Sequence, residues 1–295
     1  MSTRSSLGCK AVDRYLNDKI LSSSNVISAL SRTFVECFLE CLERRCKLDS
    51  LERFVSLFER EVSERLKKAY SCERITNLLE EARKHVNRVY ESAKVIFGSA
   101  FMLQGELQSR LLVHTRSPTL PLDISLAWDP ILNLPYIPSS SIKGVVRAYF
   151  EIFNKSIEGL GVRDLFGDTD HKDRTGHVGY VIFFDAYPVG CRETLIEPDV
   201  ITPHYKEIEG SIDETSAKPV PIVFPTIAPH VTVYIPFAVN MKLAGRSGDD
   251  RLRKLGNTAI LNVLIDEIGR ALEMGVGAKT SLGYGWMKVK RVQRS

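Results

Sequence analysis

No apolar run in these 295 residues approaches the roughly 18 that a membrane-spanning helix needs, so no span is expected. The opening MSTRSSLGCKAVDRYL lacks the apolar core of a secretory signal, which leads to the expectation of a soluble, cytoplasmic protein with no membrane partner. Strong net charge is missing too: at +4 the chain is no general nucleic-acid coat. Its six cysteines, at positions 9, 37, 41, 46, 72 and 191, lack the spacing of a disulfide scaffold and fit a reducing compartment. Cys37, Cys41 and Cys46 lie near one helical face, but no second Cys or His pair completes a zinc set, so buried thiols are expected and no metal or cofactor.

A Walker-type phosphate loop is also absent. In GVGAKTSLGYGWMKV, residues 275–289, Lys279 follows Gly277 by two positions and the segment comes after a helix instead of a strand, so a nucleotide pocket is not expected. The residues that are there suit a different grip. Gly275, Gly277, Gly283 and Gly285 let the backbone approach a ligand, while Lys279, Thr280, Ser281 and Tyr284 add donors. A plain glycine turn between a helix and an edge strand fits the same residues.

Charge placement is more informative than its total. Residues 1–95 hold 18 Lys/Arg against 14 Asp/Glu, and the rest holds 22 of each. After Glu273 no acid remains, while Lys279, Lys288, Lys290, Arg291 and Arg294 make the C-terminal edge positive. That edge suits a polyanion track, or equally a solvated tail.

The first third shows three amphipathic helices: apolar positions recur every three to four residues through Ile27–Leu42, Leu51–Ala69 and Ile75–Ile96. Near Gly98 the period changes to that of a long strand, through SAFMLQGELQSRLLVHT, followed by a proline-bearing loop over 117–138. Serines then precede an amphipathic helix with Ile142, Val146 and Phe150. Strand-like GHVGYVIFFDAYPVG and VTVYIPFAVNMKL flank a polar, proline-punctuated stretch over 197–229. A final helix over 249–273 leads through the glycine turn to a last strand. This order, strand-helix-strand-strand-helix-strand, is a split βαβ pattern. The expected fold class is α+β: a ferredoxin-like (RRM-like) domain over 98–295 with a helical N-terminal extension over 1–97.

Four phrases carry a resemblance: YIPSSSIKGVVR, GYVIFFDAYP, DVITPHYKE and GVGAKTSLGYGWM, in that order. Together they resemble the RAMP superfamily of CRISPR proteins, and the third resembles the sixth-subunit family of type III-B Cmr effector complexes. The chain departs from the pattern where Ser139-Ser140 replaces the usual Pro-Gly-Ser lead, and in its longer helical first third. The resemblance implies a non-catalytic backbone subunit that packs beside related RAMP subunits of the Cmr complex. It further implies that the subunit holds guide (CRISPR) RNA near its 3′ end for pairing with a complementary target RNA.

Residue chemistry accords with this. Ser139, Ser140 and Ser141 at a helix N-terminus offer amides and hydroxyls to an anion, and Lys143 and Arg147 lie four apart on one face. The 197–229 stretch could project as a hairpin, with Tyr205 as a stacking face between His204 and Lys206. The competing reading is a RAMP-type endoribonuclease working through a histidine general acid or base. Its six histidines, at 85, 114, 171, 177, 204 and 230, form no pair in sequence. A metal-assisted route through Asp123 or Asp129, and a module that only binds protein, complete the alternatives.

Overall fold

The computed structural model describes residues 9–17, 25–43, 48–113, 121–168, 178–202, 206–208, 211–213, 221–246 and 248–292; of 48–53, 206–208 and 211–213 it describes the backbone alone. The chain divides into two compact units that interleave in sequence. The first comprises 1–75, 114–126 and 193–227, and the second 76–113, 127–192 and 228–295. The third long helix therefore groups with the sheet that follows it, across the boundary expected at residue 97.

The first unit is built on helices α1 (Lys10–Tyr15), α2 (Val26–Glu43) and α3 (Leu48–Ala69). Where α2 meets α3, Phe34, Phe38, Phe54 and Phe58 interlock with ring centroids 5.2 to 6.4 Å apart. The apolar periodicity read from the sequence is thus the packing stripe of both helices. Helix α3 also packs against a two-stranded ribbon, in which β6 (Ile196–Ile201) pairs antiparallel with β9 (Ile222–Ile227). The Thr194 hydroxyl lies within hydrogen-bond distance of the carbonyls of Lys67 (3.0 Å) and Tyr70 (3.1 Å), and the Leu195 N–H donates to Tyr70, so the ribbon's entry satisfies the end of α3. Within the ribbon's connection, β7 (Lys206–Ile208) and β8 (Ser211–Asp213) form a further hairpin.

Cysteine chemistry departs from the expectation. Cys9 and Cys37 form a disulfide that ties α1 to α2, and Cys41, Cys72 and Cys191 are disulfide-bonded as well. No described cysteine is a free thiol. Partners 28 residues apart are brought together by helix packing, which spacing alone does not reveal, and the argument from spacing to a reducing compartment falls with it.

The second unit centres on an antiparallel sheet in the order β11-β1-β10-β4, with β5 also on β10. Its strands are β1 (Gly98–Leu107), β4 (Val181–Phe183), β5 (Tyr187–Gly190), β10 (Thr232–Asn240) and β11 (Met287–Arg291). Helix α4 (Thr76–Phe97) packs against the face bearing Ala100 and Ala238, which pair directly across β1 and β10 and meet Ala93 of the helix. Small side chains on both sides let helix and sheet approach closely. Alternate strand positions face the other way. There an aromatic run passes from Phe101 through Phe237, Phe183 and Phe166 to Phe150, with successive centroids 5.1 to 6.3 Å apart, and seats helices α5 (Ser139–Ile152) and α6 (Val162–Phe166). Helix α9 (Thr258–Glu273) lies beside α5 and against β11.

Three boundaries differ from expectation. β1 stops at Leu107 instead of running to residue 115, because residues 110–112 leave the sheet to bond the glycine turn. The single helix expected over 249–273 is two: after α7 (Met241–Arg246) come α8 (Asp250–Lys254) and α9, the latter restarting where the Asn257 side chain caps the N–H of Ala259 at 2.8 Å. The proline-bearing loop contains a small hairpin, β2 (Trp128–Asp129) with β3 (Leu134–Pro135). Among the described residues, no helix is long and apolar enough to cross a membrane.

Candidate nucleic-acid interface

Helix α5 starts where Pro138 fixes the backbone and its carbonyl accepts from Ser141 (2.9 Å) and Ile142 (3.2 Å). Ile142, Val146 and Phe150 face the core. The leading amide, that of Ser139, donates to the Asp185 carboxylate at 2.7 Å. The anion expected at this N-terminus is thus supplied by the protein, at least for that amide. Arg147 is likewise committed: its Nε binds Glu151 at 2.8 Å, one Nη donates to the Gly167 carbonyl at 3.2 Å, and 26% of its side chain is exposed. Lys143, half-buried on the same helix, makes no ion pair with a described residue. Beside it Gly144 is exposed, and a Cβ there would meet nothing within 4 Å.

The glycine turn begins beyond α9 and is built mainly by its own hydrogen bonds. The N–H of Val276 donates to Gly285 (3.0 Å), that of Ala278 to Leu112 (2.7 Å) and that of Gly285 to Arg110 (2.7 Å). The amides of Leu282, Gly283 and Tyr284 fold back onto Lys279 and Thr280. Most of the amides expected to cradle phosphate are therefore already satisfied. Gly277 (φ +89°) and Gly285 (φ +71°) are needed for the fold, because a Cβ would run into the carbonyl oxygens of Leu112 and Val276. Gly275 (φ +115°) would press on Thr280, whereas Gly283 (φ +87°) has open space around it. Lys279 adopts the left-handed region at φ 61°, and exposed Thr280 and Ser281 lie on the 3₁₀ turn Thr280–Leu282 that follows.

Of the stacking cluster expected in the 197–229 stretch, His204 and Tyr205 lie outside the described residues, and Lys206 opens β7. The positive C-terminal edge is partly neutralised. Arg291 binds Asp266 and Asn262 at 2.6 Å, Lys288 stands opposite Glu106 in the ladder, and the Val289 N–H is held by the Glu273 carboxylate at 3.0 Å. Sequence reasoning passed over Trp286, next to the turn and 55% exposed, although its place before buried Met287 in a strand of period two points it outward.

The carboxylates offered to a metal are used otherwise or stand apart. Asp129 accepts the N–H groups of Ile131 (2.8 Å) and Leu132 (3.0 Å) with one oxygen and the Tyr187 hydroxyl (2.8 Å) with the other. It is a turn builder, and burial together with that bond pushes the Tyr187 phenol far up. Asp123 is exposed, and its N–H donates to Glu59, a glutamate 2% exposed on α3. Burial, the largest cause, pushes Glu59 up to about 7. Among the described residues, no group of three or more His, Cys, Asp or Glu side chains is placed to hold a metal ion. His85 lies edge-on to Tyr187 at 5.2 Å, and His230 faces Glu106 at 3.9 Å, half-exposed.

Comparison with known proteins places this geometry. The RAMP superfamily matches residues 98–288, which include β1, β4, β5, β10, the start of β11 and both candidate elements. The CRISPR system CMR subunit Cmr6 of Saccharolobus solfataricus is 29% identical over 257 residues, covering 85% of this chain and 78% of that protein. The Cmr6 of Pyrococcus furiosus is 25% identical, covering 82% and 84%. Among solved structures, a chain of the type III-B Cmr-beta complex bound to cognate target RNA superposes with a TM-score of 0.69 at 25% identity, covering 96% of this chain and 98% of that one. The chain belongs to the RAMP superfamily and, within it, is a Cmr6-like protein of the type III-B kind.

Proposed function

We propose that the chain is a non-catalytic backbone subunit of a type III-B RNA-guided effector complex in antiviral defence. In this reading it packs beside other RAMP subunits, holds guide RNA near its 3′ end and supports recognition of complementary target RNA. The antiparallel sheet, in the order β11-β1-β10-β4 with α5 and α9 packed on it, supports reading this unit as a ferredoxin-like (RRM-like) domain. The observation that carries the RNA assignment is the pair Lys143–Gly144. A cation without an ion pair to a described residue stands next to an exposed helical glycine, which costs a helix about 0.5–1 kcal/mol relative to alanine and which no packing among the described residues requires. A phosphodiester backbone fits that surface, positioned without being read in sequence, as a subunit serving many guides needs. Exposed Thr280 and Ser281, with Lys279 beside them, provide a second contact.

The test is purification through a tag on this chain from cells that express the other subunits. The expected result is co-purified RNA of guide sequence, retained less well by Lys143→Glu than by wild type. The nuclease alternative rests on the His230–Glu106 pair, the one described histidine facing a carboxylate across an open surface. Pure protein is expected to leave guide precursors uncut with or without Mg²⁺; cleavage abolished by His230→Ala would replace the scaffold reading.

A further inference from the structure

At the C-terminal end of α4 and the start of α7, three aliphatic side chains stand in solvent: Val95 is 73% exposed, Ile96 58% and Leu243 41%. The two helices are joined there. The Lys242 ammonium donates to the Val95 carbonyl at 2.6 Å, and a Cβ on Gly98 would lie 3.3 Å from that of Met241, so the patch is preformed. Lys94, Lys242 and Arg246 lie on the same two helix segments, all exposed, and none forms an ion pair with a described residue. Several other cations of the same unit are matched, as in Lys84–Glu81, Arg147–Glu151, Arg270–Glu267 and Arg291–Asp266. The neighbouring acid, Glu91, already has a partner. The aromatic rings close by, Tyr90 and Phe97, pack against the alanine cluster of the core.

An apolar centre with a charged rim is the anatomy of a protein interface. Without exposed rings the patch offers unstacked bases no platform, which argues against single-stranded RNA. Lys94 and Arg246, without an ion pair to a described residue, and Lys242, held by a carbonyl alone, suit carboxylates supplied from outside. We infer that this surface docks a second protein subunit whose own surface presents an apolar centre flanked by Asp and Glu side chains. The inference rests on the proposed role within a multi-subunit complex and names the face that makes the contact.

The test uses complexes assembled from the full-length chain, the other subunits and guide RNA. Leu243→Asp and, independently, Val95→Asp are compared with wild type by native mass spectrometry; at Val95 the side chain is mostly in water, so that variant is expected to keep the wild-type melting temperature. Zero-length carbodiimide coupling is expected to join Lys94 and Lys242 to acidic residues of one neighbouring subunit. Incorporation of the Asp variants is expected to fall about tenfold or more, while guide RNA binding by the isolated chain stays unchanged. If wild type and both Asp variants incorporate equally, the surface is wrong and the functional reading stands. If wild type itself does not incorporate, the functional reading fails and takes the surface with it. Unchanged subunit composition with lost target RNA protection assigns the patch to RNA and overturns the proposal. Sedimentation of wild type, but not of Val95→Asp, with phosphatidylcholine–phosphatidylserine vesicles assigns it to a membrane and does the same.

Discussion

The backbone N–H of Ser139 donates to the Asp185 carboxylate at 2.7 Å, so the leading amide of α5 is neutralised from within the protein. Removing that carboxylate separates helix capping from RNA binding. Asp185→Ala is expected to lower stability by about 1 kcal/mol, the usual worth of a lost cap. RNA retention is expected to stay level or rise, because a negative charge leaves the helix N-terminus. Thermal melts and filter binding on the same preparation check both. A fall in retention without a fall in stability would mean that Asp185 helps to hold RNA through a bridging cation.

Lys143 and Arg147 are four residues apart on one helix, yet they are expected to behave differently. Arg147→Ala removes the Glu151 pair and the bond to Gly167, and should cost stability of the order of 1 kcal/mol. Lys143→Ala should leave the melt unchanged and flatten the salt dependence of RNA binding, by a log-log slope of about 0.7 for a single-strand contact. Equal slopes in Lys143→Ala and wild type would remove Lys143 from the interface.

In the glycine turn the order of damage follows the backbone. Gly277→Val and Gly285→Val are expected to prevent folding of the second unit, since each Cβ meets a carbonyl oxygen. Gly283→Ala, in open space, is expected to fold with a loss of about 1 kcal/mol from its left-handed φ. Circular dichroism and melting of the three variants decide this. A well-folded Gly277→Val protein would show that the turn is looser than its hydrogen bonds indicate.

Glu59 gives a pH dependence of known sign. Its folded value, about 7, lies above the ordinary carboxylate value of 4.5, so folding takes up a proton between those pH values. The native advantage at low pH is therefore lost as pH rises from about 4.5 to about 7, and the cost is constant above. Glu59→Gln keeps an oxygen for the Asp123 N–H without the buried charge. It is expected to stabilise the protein at pH 8 by about 1–3 kcal/mol and to do little at pH 5, as denaturant titrations at the two values can show. A variant less stable than wild type at pH 8 would contradict this.

What the sequence disclosed was local or periodic. The stripe containing Phe34, Phe54 and Phe58 marked α2 and α3, and alternation in Ala100–Leu107 marked β1, because burial on one face leaves a period. Three of the four phrases fall in the sheet's unit and DVITPHYKE in the first unit, and together they pointed to the family. What stayed hidden depended on partners far apart in the chain. Asp185 caps an amide 46 residues away, Leu112 closes a turn at Ala278, and Cys9 finds Cys37 only once α1 lies on α2. The candidate site was legible as a set of donors, but not in how many of those donors the fold itself consumes. Arg147, Gly277 and Gly285 read as ligands and are, first, structure.

The central claim is that RNA lies along α5 of this subunit within a multi-subunit complex. Photocrosslinking of the assembled complex, with 4-thiouridine placed near the guide's 3′ end and peptides identified by mass spectrometry, tests it most directly. The account predicts crosslinked peptides containing Lys143 or the 279–281 turn, with Lys143→Glu reducing the first. Crosslinks confined to other subunits, with none on residues 98–292 of this chain, would contradict it.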